Sequence, residues 1–169
     1  ILIGLVIVSG LYGMAVGPWR KKYGWGRPGS RFELAAFVTA VVLMEMSLDG
    51  PIHHLADNYL FSIHMLQHLV ITLFVPLLLI AGMPPWLWER ILLSRPLAKL
   101  SRWGLRPVPA FLIYNGVLIA WHLPRAYDLT MSNHSWHIFE HLLFMASAVV
   151  AWWPVLSRSK LLRPAGWGW

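Results

Sequence analysis

Two pairs of histidines stand one helical turn apart in this chain, His64 with His68 and His137 with His141. Residues at i and i+4 share a face of a helix, so each pair could hold one metal ion. A ligand from a second helix then closes the shell without relying on loop order. His122 closes another apolar run, and Glu140 adjoins His141, which adds an imidazole and a carboxylate to the candidate set. Imidazole with carboxylate suits zinc or oxidised copper, whereas imidazole with thioether selects copper, and Met44, Met46 and Met65 lie at comparable depth. The chain has no cysteine, which excludes disulfides, Cys-ligated zinc and iron–sulfur clusters. The plain structural alternative is that these histidines hydrogen-bond between helices. For His53, His54 and His134, which fall in loops, an ordinary interfacial role is the expectation.

The elements that would position these side chains are membrane helices. Apolar residues make up 57% of the 169 residues and charged residues 12%, about half the charged share of a soluble domain. A spanning helix needs about 20 predominantly apolar residues. Candidate spans cover 1–17, 32–48, 59–82, 108–123 and 136–156. The expected fold class is an all-α integral membrane protein, one transmembrane helical domain over 1–169 with five spans. Pro76 should kink the third span, which neighbours can tolerate by satisfying the freed carbonyl.

Charge sorts the connections. Arg20, Lys21, Lys22, Arg27 and Arg31 lie between the first two spans, and Arg90, Arg95, Lys99, Arg102 and Arg106 between the third and fourth. Arg158, Lys160 and Arg163 follow the fifth, while the other two connections hold only Arg125. The positive-inside rule therefore places the N-terminus outside and the C-terminus inside, in the cytoplasm. It also accounts for the net charge of +7 without nucleic acid. All eight histidines fall toward the outer side, with Glu45, Asp49, Asp57, Asp128 and Glu140. His64 and His68 lie roughly 8 and 14 Å into the third span. The stretch 84–103, with Trp86, Leu87, Ile91, Leu92 and Leu97 among bases, reads as a cytoplasmic interfacial helix broken by Pro96.

These same residues carry a resemblance. The run Ser62-Ile-His-Met-Leu-Gln-His68, followed by Pro76-Leu-Leu-Leu-Ile-Ala-Gly-Met-Pro84, is similar to the polytopic CtaG family of cytochrome c oxidase assembly factors. Trp121-His-Leu-Pro124 with Tyr127-Asp128, His137-x-x-Glu-His141, and Trp152-Trp-Pro-Val155 resemble it too, and Ser47-Leu-Asp49 fits the element before the third span. The similarity runs from about Glu33 to Val155 with several motifs in order. It implies a protein of the bacterial inner membrane that matures haem-copper oxidases by handling copper on the periplasmic side. His64, His68, His122, His137, Glu140 and His141 match the family's motif positions. Such proteins usually have six or seven spans, so five suggest a missing remainder or a shortened member.

Three functional readings follow. The leading one is a non-enzymatic assembly factor that binds copper and partners haem-copper oxidase subunits. A second is a structural accessory subunit of a larger respiratory or photosynthetic membrane complex. A third is a haem b carrier with one axial histidine from the third span and one from the fifth. Hydrolysis is not expected, since no serine or cysteine nucleophile motif and no phosphate loop is present. Proton conduction is not favoured either, because nothing acidic continues from Glu45 to the inner face.

Overall fold

The computed structural model describes residues 2–51, 55, 61–159 and 161, and every regular element among them is a helix. α1 runs Leu2–Tyr23, with a π turn at Ala15–Trp19 around Pro18. It stops at Gly24, whose φ of 64° is left-handed and suits a residue without Cβ. α2, Arg31–Leu48, starts on a reciprocal cap. The Glu33 N–H donates to Ser30 Oγ at 3.1 Å, and the Ser30 N–H donates to Glu33 Oε2 at 2.9 Å. α3 comprises Phe61–Leu69, a π turn at Val70–Phe74, and Val75–Gly82. α4 (Pro85–Leu92) and α5 (Ala98–Gly104) are short, with Pro96 between them as the sequence suggested. α6 is Pro107–Trp121, α7 is Pro124–Ser132 and α8 is His134–Leu156.

Three of these helices, Leu2–Tyr23, Ser62–Gly82 and His134–Leu156, are long and apolar enough to cross a membrane. The other two expected spans differ for separate reasons. α2 carries Arg31, Glu33 and Glu45 within its 18 residues. The 15 residues of α6 reach only about 22 Å at the helical rise, short of a hydrocarbon core of about 30 Å. The stretch 123–135 was expected as a bare connection, yet it holds α7. α8 begins two residues before the expected start because Asn133 caps it, its side-chain oxygen accepting from the Ser135 N–H at 2.9 Å. His53, His54, Asp57, Tyr59, Lys160, Arg163, Trp167 and Trp169 lie outside the described residues.

The second half of α3 is the centre of the bundle, packed between α2 and α8, and α8 packs on α6. Leu5, Met44, Leu48, Ile71, Val75 and Phe144 form one apolar core. Tyr12, Ala15, Phe37 and Leu87 form a second that seats α1, with the Tyr12 and Phe37 rings stacked at 3.8 Å. Gly82 lets α3 touch α2 directly, since a Cβ there would sit 2.5 Å from the Phe37 nitrogen. The outward faces keep large apolar side chains exposed, among them Ile3, Val6, Phe111, Leu112 and Ile119. So much exposed hydrocarbon suits lipid rather than water.

Pro76 explains the π turn in α3. Its ring nitrogen carries no hydrogen, so the Thr72 carbonyl four residues earlier loses its helical donor. The indole Nε1 of Trp152 donates to that carbonyl at 3.1 Å. Thr72 Oγ1 in turn donates to the His68 carbonyl at 2.6 Å. Trp152→Phe keeps the ring and leaves the carbonyl unpaired. It is expected to lower stability by about 1 kcal/mol, the scale of an interhelical hydrogen bond in a membrane protein, as measured by denaturant titration of helicity in detergent.

Candidate functional site

α3 and α8 bring both histidine pairs to one place. The rings of His64 and His68 lie 4.5 Å apart between centroids, as do those of His137 and His141. Across the helices, His68 is 5.0 Å from His141 and His64 is 5.8 Å from His137. The pairs thus interlock as four converging imidazoles. His68, His137 and His141 are buried, with 8%, 7% and 2% exposure, whereas His64 is half-buried. The i, i+4 spacing does the positioning, and the π turn begins only after His68, leaving the pair on regular helix.

Phe144 forms the floor. It is fully buried one turn below His141, its ring 5.1 Å from His68 and 6.0 Å from His122. Below it the apolar core of Ile71, Val75 and Met44 separates the imidazoles from the basic end of the bundle. His122 stands at the exposed rim, 6.3 Å from His68. Its Nδ1–H donates to the Leu118 carbonyl at 2.6 Å, which leaves the Nε2 lone pair available, the arrangement a metal-binding imidazole needs. Glu140 is buried beside Thr130 and within electrostatic reach of His122. Four of the six candidate residues therefore form one imidazole cluster, with His122 at its edge and Glu140 beside His122.

Sequence reasoning missed Gln67. It is fully buried, its Nε2–H donates to the Ser47 carbonyl at 2.6 Å, and the same nitrogen lies 3.5 Å from His141 Nδ1. Gln67 thus ties α2 to α3 and α8 beside the cluster. The signal was available: an amide in an apolar run one position before His68 must find partners. The thioethers play no part in the cluster. Met44 packs in the core, and Met46 and Met65 are exposed.

The donor set fits a small ion, although the rings are not spread for one. His68 Nε2 and His64 Nε2 are 2.8 Å apart, a hydrogen bond between imidazoles. Two nitrogens on a tetrahedral ion, each about 2.0 Å from it, lie about 3.3 Å apart. Among the described residues no group of three or more His, Cys, Asp or Glu side chains already has metal-binding geometry. The pocket also holds a buried polar atom awaiting a partner, since His68 Nδ1 has no hydrogen bond.

The described residues form a helical bundle with three helices long and apolar enough to cross a membrane and a cluster of imidazoles near one end. The chain belongs to the cytochrome c oxidase caa3 assembly factor family (Caa3_CtaG), whose profile matches residues 10–169. No curated protein and no solved structure matches it.

Proposed function

We propose that this protein is a non-catalytic assembly factor that holds copper for a haem-copper oxidase. His64, His68, His137 and His141 bind the ion, His122 receives it at the rim and Glu140 balances its charge. The convergence of imidazoles from α3 and α8 carries this reading, because five ring pairs among the four histidines lie 4.5 to 6.3 Å apart centre to centre. A porphyrin takes one imidazole on each of its two faces, whereas here two imidazoles one helical turn apart come from each helix, so haem b is the weaker candidate. Family membership supplies the client, and copper is the metal that such an oxidase must receive. In this reading α1, α3 and α8 cross the bacterial inner membrane in one direction and the charged α2 and short α6 carry the chain back, with the α1 start and the imidazoles on the periplasmic side. The distribution of bases supports that orientation.

Copper is cargo here, so the site must release it. The half-buried His64 and exposed His122 keep one side of the pocket open, while Phe144 closes the other. The test pairs two measurements, metal uptake by the purified protein and oxidase copper content in cells lacking the gene. About one copper per chain and a copper-poor oxidase are expected. Preferential uptake of zinc, or an oxidase fully loaded without this protein, would remove the copper role.

A further inference from the structure

At the opposite end of the bundle, the turn before α5 and its exposed side form an open cavity of about 350 Å³, lined by Pro96, Lys99, Leu100 and Trp103. Its lining is amphiphilic. Leu100 is 60% exposed and Trp103 55%, while Lys99 sets an ammonium beside them and Arg95 and Arg102 are exposed close by in sequence. The acids of this end are occupied elsewhere. Glu33 pairs with Arg27 and Arg158, and Glu89 accepts from Ser159 Oγ at 2.6 Å and from the Leu161 N–H at 3.3 Å. Among the described residues, Arg95, Lys99 and Arg102 pair with no carboxylate.

We propose that this cavity binds an anionic phospholipid, its phosphate on Lys99 with Arg95 and Arg102 beside it, and its glycerol and upper acyl chain along Leu100 and Trp103. Each component of the lining excludes an alternative. A free anion gains nothing from an exposed leucine and indole. A zwitterionic lipid brings an ammonium group toward three cations. An anionic lipid satisfies both halves, with the indole at headgroup level, where tryptophan favours the interface. Basic pockets near cytoplasmic helix ends hold acidic headgroups for the same reason.

Quenching by brominated lipids tests the assignment in the full chain. Trp103 emission is read as the difference between the unaltered protein and Trp103→Phe. Brominated phosphatidylglycerol should quench it saturably and brominated phosphatidylcholine weakly at equal mole fraction. Millimolar inorganic phosphate should not compete. Lys99→Gln with Arg102→Gln, both at exposed positions, should weaken the phosphatidylglycerol effect roughly twentyfold, about fivefold for each charge removed. Equal quenching by the two lipids, competition by inorganic phosphate, or indifference to the double substitution would each overturn the proposal.

Discussion

His64→Ala combined with His68→Ala is expected to cut copper retention by roughly a thousandfold or more while leaving the bundle folded. Loss of an outer partner of a metal ligand alone costs about 10- to 100-fold in affinity, and these two residues would be direct ligands. The fold should survive because the two imidazoles are each other's partners, joined Nε2 to Nε2 at 2.8 Å. Removing both ends of that hydrogen bond leaves neither of the two imidazoles stranded, whereas removing one end leaves the other without it. His68→Ala alone should therefore cost more stability than its share of the double change. His122→Ala makes a useful contrast. Its ring is exposed, 6.3 Å from His68 and off the main cluster, so a loss of about tenfold, the lower end for an outer-shell group, is expected. Competition against a copper chelator gives the retention, and far-ultraviolet circular dichroism reports the fold. Retention within threefold of the unaltered protein after the double change would place the ligands elsewhere.

The pocket was largely legible because helical periodicity is a local property. Once 59–82 and 136–156 read as helices, the spacing of His64 with His68 and of His137 with His141 fixed which residues share a face. That the two faces meet was an expectation from type and depth, and the bundle places the four rings together. What escaped the sequence depends on long-range partners. Nothing near Gln67 in the chain points to the Ser47 carbonyl twenty residues earlier. Pro76 announced a disturbed helix, but the donor that completes it, Trp152, comes from another helix eighty residues on. α7 went unread because its nine residues are polar on average and lie between two stronger apolar signals. Nothing in the local pattern singles out Glu33, which is the most enclosed carboxylate among the described residues.

Glu33→Ala is expected to destabilise the protein by about 2–4 kcal/mol, more than any single histidine change. Glu33 is fully buried, and three donors converge on it. Arg27, in the turn after α1, donates through Nη1 to Oε2 at 3.0 Å and through Nη2 to Oε1 at 2.5 Å. Arg158, just beyond α8, donates to Oε1 at 3.1 Å and also to the Ala81 carbonyl near the end of α3 at 3.0 Å. The Ser30 N–H completes the set and starts α2. Breaking a buried ion pair from one side costs about 3–5 kcal/mol. Both arginine side chains are 50% exposed, so water recovers part of that, and the expected loss sits lower. Glu33→Gln preserves an acceptor for the Ser30 N–H and gives up the charge, so it should fall about midway. A double-mutant cycle with Arg158→Ala should show coupling of about 1 kcal/mol or more, as expected of residues in direct contact. Denaturant titration in detergent measures all three. The clamp lies at the far end of α2 from Ser47, so whatever Glu33→Ala protein stays folded should keep its copper affinity. A variant that loses stability and copper affinity together, well below its unfolding midpoint, would show that the two ends of the bundle are coupled and that the clamp also sets the spacing of α3 and α8 at the imidazoles.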